Sequence, residues 1–226
     1  MVNKENVLFE KWKNELSGLI PDGVVDEKSW ENANKRILFL LREVNDCPDG
    51  FDERHYLKHY HSENEKYIKS PTIDCIELWA FGIQKLPKIL SWELTEKELK
   101  NSEVLKSIVL VNIKKTTGGN IVDWKNFEEY FANTNNQCKI KEQLSIYLPK
   151  TDIVICGGTA YYLSCLYPDT LGMNKWKQTS RGISYCKSKN TIYIDYKHPN
   201  IRAPRNIMYY SLLDAVQEIY NNNAVL

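Results

Sequence analysis

The chain has no cysteines in C-x-x-C spacing, no apolar run long enough to cross a bilayer and only four histidines in 226 residues. Without the cysteine pairs, the usual zinc and iron–sulfur signatures are missing, so Cys47, Cys75, Cys138, Cys156, Cys165 and Cys186 are expected as reduced thiols. Without a long apolar run there is no helical membrane span to expect. The opening residues also lack the apolar core of a signal peptide, which leads to the expectation of a cytoplasmic protein. No G-x-G-x-x-G follows an apolar run, which argues against a Rossmann-type dehydrogenase. No G-x-x-x-x-G-K-[ST] and no G-x-S-x-G occur, which argues against a P-loop and a nucleophile elbow. The chain has no internal repeat. Net charge is close to absent at +1, so the total names no partner.

What is present is organised around residues 37–48. Five apolar residues, Ile37 to Leu41, are too few for a helix and unbroken enough for a strand buried on both faces, as in a parallel sheet. Arg42, Glu43, Asn45 and Asp46 follow at once, so the strand hands an acid, an amide and a cation to the loop at its carboxyl end. Open α/β sheets bind their ligands there. Two later runs have the same form: 107–112, ending in Asn112 and a glycine loop, and 152–156, entering a helix through Gly157 and Gly158. The pairs 183–186 and 191–195 read as further strands joined by a turn at Asn190.

Between the strands, apolar spacing predicts helices. Leu8, Trp12, Leu16 and Leu19 lie on one face of a first helix, closed by Pro21, Asp22 and Gly23. A second spans 73–90, with Pro71 before it and Pro87 at its end. A short charged helix over 95–106 begins with Thr95 and Glu98 in the capping-box pattern. Asp123 caps a helix through Trp124, Phe127 and Phe131, interrupted at residues 133–136 before a piece ending near Leu148. Pro204 suits the first turn of a C-terminal helix. Residues 49–69 read as a long surface excursion. Strands alternating with helices predict one domain over residues 1–226, a three-layer α/β/α sandwich with a mainly parallel central sheet.

Three strand ends then converge on one edge: Glu43 with Asn45 and Asp46, Asn112 with Lys114, and His198 with Asn200. A carboxylate, an amide and an imidazole suit hydrolysis of a bond whose leaving group becomes anionic. The Asn112 amide offers one donor and one acceptor to a planar ligand. Between Thr170 and Leu213 eight Lys and Arg face one acid, Asp195, a local positive field suited to a phosphate backbone or simply a solvated surface. His55, His59 and His61 lack further ligands at metal spacing and read as a solvated loop, so no metal or cofactor is expected. Thr117 to Asn120 read as a turn, Cys156 as a core residue, and Trp79 and Trp124 as core residues at helical spacing.

In order and spacing these pieces resemble the uracil-DNA glycosylase superfamily, from Ile37 to the C-terminal helix. Leu41 to Asn45 stand where the family has G-Q-D-P-Y or G-x-N-P, which puts Glu43 at the acidic position. Leu110, Val111 and Asn112 are similar to its L-L-L-N strand, and Ile153 to Ala160 to its I-I-x-x-G-x-x-A strand. His198, Pro199, Asn200 and Ile201 are similar to its H-P-S-P loop. Leu41 stands for glycine, Glu43 for Asp or Asn, Val44 for proline and Asn200 for serine, so the water position must differ or the target is not uracil.

The resemblance implies a monofunctional DNA glycosylase, probing single- or double-stranded DNA as a monomer. Glu43 and His198 would be catalytic, with Asp46 in reserve, and Arg42, Asn45, Phe51, Asn112 and Asn200 would lie on the base. Lys114, Lys197, Arg202 and Arg205 would bind phosphates and Ile201 would wedge into the stack. The base-stacking ring is left open among Phe51, Tyr56, Trp79 and Phe81. The competing expectation is a catalytically silent nucleic-acid or nucleotide binding module on the same fold.

Overall fold

The computed structural model describes residues 1–62, 69–119 and 121–223. In chain order the first elements are α1 (Val2–Lys13), β1 (Gly23–Val24), α2 (Glu27–Glu31), β2 (Ile37–Leu41), α3 (Glu53–Lys58), α4 (Pro71–Lys85) and α5 (Trp92–Leu99). Then come β3 (Ile108–Asn112), α6 (Trp124–Ala132), α7 (Thr134–Tyr147), β4 (Ile153–Gly157), α8 (Ala160–Leu166) and α9 (Pro168–Leu171). The last are β5 (Lys177–Gln178), β6 (Ser184–Ser188), β7 (Thr191–Tyr196) and α10 (Arg205–Asn223).

All seven strands form one sheet in the order β1-β3-β2-β4-β7-β6-β5. The central four, β3, β2, β4 and β7, run parallel, and the edge pairings β1 on β3, β6 on β7 and β5 on β6 are antiparallel. Every residue of β2, β3 and β4 is buried, as their unbroken apolar runs require. Because side chains alternate along a strand, these runs feed two cores. Ile37, Phe39, Leu41, Leu110 and Ile155 pack with α4 and α10 on one face. Leu38, Leu40, Val111, Val154 and Cys156 pack with α6, α7 and α8 on the other. The protein is thus a mixed α/β fold with helices on both faces of a seven-stranded sheet whose centre is parallel.

Several boundaries differ from the sequence reading for local reasons. The first helix stops at Lys13, and Leu16 and Leu19 instead lie against a satellite cluster around Trp12. Leu19 bridges Thr116, which draws this segment into the sheet edge. The helix expected from Thr95 begins at Trp92 because Ser91 caps it. Thr95 is buried, and its hydroxyl donates to the Ser91 carbonyl at 2.8 Å. The excursion after β2 folds back: Asp52 caps α3 by accepting from the Arg54 and His55 amides, and Tyr56, Leu57 and Tyr60 enter the core. Residues 63–68 of that expected excursion lie outside the described residues. Asp123 caps α6 as expected, the expected interruption falls at Asn133, which itself caps α7, and α4 ends at Lys85, short of the predicted Leu90.

Candidate functional site

The parallel ladder between β2 and β3 does not end with the strands. The Ile113 amide donates to the Leu41 carbonyl at 2.9 Å and the Lys114 amide to that of Arg42 at 2.8 Å. Since Leu41 pairs with Asn112, extending the register by two puts Glu43 opposite Lys114. The Lys114 ammonium donates to Glu43 Oε2 at 2.8 Å, and the two side chains are only 8% and 2% exposed. Lys114, expected on phosphates, is therefore committed to Glu43. The polar segment after β2 is also zipped to the glycine loop. The Gly118 amide donates to the Val44 carbonyl at 2.7 Å, that of Asp46 to the Gly118 carbonyl at 3.0 Å, and that of Cys47 to Thr117 Oγ1 at 3.2 Å. Gly118 lies so close over the Glu43 carboxylate that a Cβ there would fall 2.4 Å from its carboxyl carbon. Glu43 Oε1 is left buried without a partner, the acceptor still free after Lys114 has taken Oε2. Asn45 and Asp46 lie on the exposed outer side of this zipper, Asp46 with φ of 43°.

His198 arrives on the loop after β7, next to the end of β4. Its Nδ1 accepts from the Asn200 amide at 3.2 Å and its carbonyl accepts from the Ile201 amide at 3.0 Å. An occupied Nδ1 acceptor puts the proton of the neutral ring on Nε2. Burial, and after it the Arg42 guanidinium, lower its pKa to about 4, so the imidazole is a neutral donor across the physiological range. Asn200 thus acts here through its backbone, with an exposed side chain.

The close approach of this loop to β2 depends on Gly157. A Cβ at that position would lie 2.5 Å from Leu41 Cδ2 and 3.2 Å from Pro199 Cδ. Gly157→Ala is expected to lower stability by about 1–3 kcal/mol through overpacking. The urea midpoint reads this directly, and a midpoint equal to the wild type would mean that the contact gives way at no cost.

Arg42 lies between these groups. Its guanidinium stacks on the Trp124 ring at 4.8 Å, its Nε is buried without a partner, and burial lowers its pKa. Trp124, read from the sequence as core, is 52% exposed, because the first position of α6 precedes the stripe that Phe127 and Phe131 bury. It is an aromatic ring at this edge, lying against Arg42. Among the rings expected to stack on a base, Tyr56, Trp79 and Phe81 are buried in the core, and Phe51 is half-buried, 5.5 Å from Tyr56.

Asn112 is held from below. Its backbone amide donates to Asp22 Oδ2 at 2.7 Å, and its Nδ2 donates to Glu53 Oε2 at 2.7 Å and to Asp22 Oδ2 at 3.4 Å. Its donors are spent inside the protein, which leaves Oδ1 as the amide atom to offer a ligand. Asp22 in turn accepts from Lys115 Nζ at 2.9 and 2.8 Å and from Gln143 Nε2 at 2.8 Å. Nothing in the sequence spacing marks this group, since Asp22 reads as a turn residue and Glu53 as part of a surface loop.

Around the edge, Lys197 and Arg202 are exposed and Ile201 is 40% exposed. Arg205 lies 3.6 Å from Asp74, and Arg181 is paired with Asp214 at 2.9 Å. Part of the positive field counted along the sequence is thus neutralised by acids from outside that window. His61 Nε2 is 2.7 Å from Glu77 Oε1, and the His55 and His59 rings lie 4.5 Å apart. No helix among the described residues is long and apolar enough to cross a membrane. No protein-family model, no curated protein and no solved structure matches this chain.

Proposed function

We propose that the chain is a monofunctional DNA glycosylase that hydrolyses the N-glycosidic bond of uracil or another altered base flipped out of DNA. The observation that carries this reading is His198, its Nδ1 occupied by the Asn200 amide and its ring near the Arg42 guanidinium, at the carboxyl end of β7, with Glu43 just beyond the carboxyl end of β2 in the same parallel sheet. A flipped base costs a few kcal/mol of stacking and pairing, and exposed Ile201 fills the space it leaves. Lys197 and Arg202 hold the phosphates of the distorted strand. The bond between C1′ and the base nitrogen breaks with its electron pair going to the base, leaving an oxocarbenium-like sugar. Negative charge at Glu43 favours that cation, and Glu43 Oε1 accepts from the water whose oxygen attacks C1′. The proton the water loses ends on the departed base. His198 Nε2 donates a hydrogen bond to the base anion without needing to ionise.

A second reading, a catalytically silent nucleic-acid binding module, is favoured by one observation. Glu43 is covered by Gly118 and tied to Lys114, so its carboxylate is nearly closed off.

Base release from single- and double-stranded oligonucleotides carrying uracil, deaminated purines or modified cytosines, read as alkali-labile strand breaks, separates the two. The glycosylase reading expects abasic sites with the wild type and a loss of about 10²-fold or more with Glu43→Gln and with His198→Ala. Salt-sensitive DNA binding with no base released across the panel would leave the binding module as the function.

A further inference from the structure

Arg42 is a cation with no ion-pair partner among the described residues. No carboxylate among the described residues makes an ion pair or hydrogen bond with its guanidinium, because the nearest acid on the chain, Glu43, is taken by Lys114. Its Nε is buried and unpartnered, and one face of the group is closed by the Trp124 ring. Removing a charge from water without pairing it is unfavourable, and the Trp124 ring offsets this only in part, since burial still lowers the Arg42 pKa. Arg42 also faces the loop that carries the candidate leaving-group imidazole. Pro199 lies against Gly157, and a Cβ at Gly158 would come 3.7 Å from Arg42 Nη1.

We propose that Arg42 and His198 together form a subsite for a planar, delocalised anion, and that Arg42 is a second catalytic group that takes the negative charge of the departing base. This rests on the glycosylase reading and deepens it by assigning the charge and the directed hydrogen bond to different residues. Arg42 cannot give up its proton, so it acts as a fixed positive charge and not as a general acid. His198 stays neutral beside it, because burial and then the neighbouring guanidinium disfavour its cation, and supplies one hydrogen bond. No proton moves from either group as the glycosidic electron pair passes to the ring nitrogen and spreads onto the ring carbonyls. The titratable groups around the guanidinium are Glu43 from the same strand end, Tyr162 from α8, whose hydroxyl donates to Glu128, and His198. None of them supplies a free negative charge, and the ligand does.

A phosphate would satisfy the same charge. The exposed Lys197 and Arg202 suit phosphates at the surface, whereas Arg42 is half-buried against a flat ring, which favours a flat anion. The probes are therefore 5-nitrouracil, whose ring N–H is acidic enough to give a base anion near neutrality, and inorganic phosphate, each titrated calorimetrically into the whole chain. His198 is followed in parallel by the NMR shift of its ring protons.

The wild type is expected to bind the nitrouracil anion at least tenfold more tightly than its neutral form and more tightly than phosphate. Arg42→Gln should lose that tenfold preference, with Arg42→Lys between the two. Because the Arg42 side chain makes no hydrogen bond among the described residues, the Gln variant should stay folded, and its His198 should titrate above the wild-type value of about 4. Binding of the base anion by a folded Arg42→Gln chain as tight as by the wild type overturns the proposal, as does tighter binding of phosphate or no binding of either probe. Anion binding that depends on Arg42 in a protein that releases no base leaves this subsite standing and removes only the glycosylase reading.

Discussion

Lys115→Met is expected to cost roughly 3–5 kcal/mol of folding free energy, the usual price of removing one member of a buried ion pair. Lys115 is fully buried just beyond β3, and its ammonium bridges both oxygens of Asp22, itself 1% exposed. Burial pushes the Lys115 pKa down, and the Asp22 carboxylate works against that shift. Without the ammonium, Asp22 would be an ionised carboxylate held only by amide donors from Asn112 and Gln143. The pair also fastens the sheet edge, since the Lys115 carbonyl accepts from the Ile20 amide at 2.8 Å and its amide donates to Tyr130 at 3.2 Å. Urea unfolding measures the loss, and less than about 1 kcal/mol would show that the buried pair contributes no more than a surface one. The double variant Asp22→Asn, Lys115→Met should recover part of the loss, because it leaves no unpaired charge behind.

The elements most legible in the sequence were those whose physics is local. β2, β3 and β4 fall on the expected apolar runs because a strand buried on both faces has to be apolar throughout. Asp123 was legible as a cap because a cap acts within three residues, whereas residues 133–136 were legible only as a break and Asn133 proves to be the cap of α7. The two-residue strands β1 and β5 are too short to leave a pattern, and pairing with β3 and β6 defines them. Positions at strand ends were legible, but partners were not. That Glu43 meets Lys114 follows from the register of Leu41 on Asn112, which no spacing along the chain encodes. Thr95 shows the opposite failure: its capping pattern is real, but Ser91 starts the helix a turn earlier and draws Thr95 inside. The group of Glu5, Asp22, Glu53 and Lys115 draws on segments spread over more than a hundred residues, so it becomes visible only once the chain has folded.

That group should also make the protein less stable as pH rises, in contrast to one held together by ordinary ion pairs. Burial pushes the carboxyl groups of Glu53 and Glu5 from the ordinary 4.5 up to about 8. In the unfolded chain both release their protons near the ordinary carboxylate value, whereas the folded chain retains them until about pH 8. Across that window the unfolded state binds fewer protons, so unfolding stability falls with pH, by at most about 1.4 kcal/mol per pH unit for each group. The melting temperature is accordingly expected to drop between about pH 5 and about pH 8. Glu53→Gln should remove about half of that slope and leave the variant more stable than the wild type at the alkaline end. Glutamine is the neutral isostere, and its carbonyl can still accept the 2.7 Å hydrogen bond from Asn112 Nδ2. A wild type whose stability is flat across this window, or a Glu53→Gln variant with the full wild-type slope, would mean that Glu53 is ionised in the fold. In that case Asn112 would donate to a carboxylate.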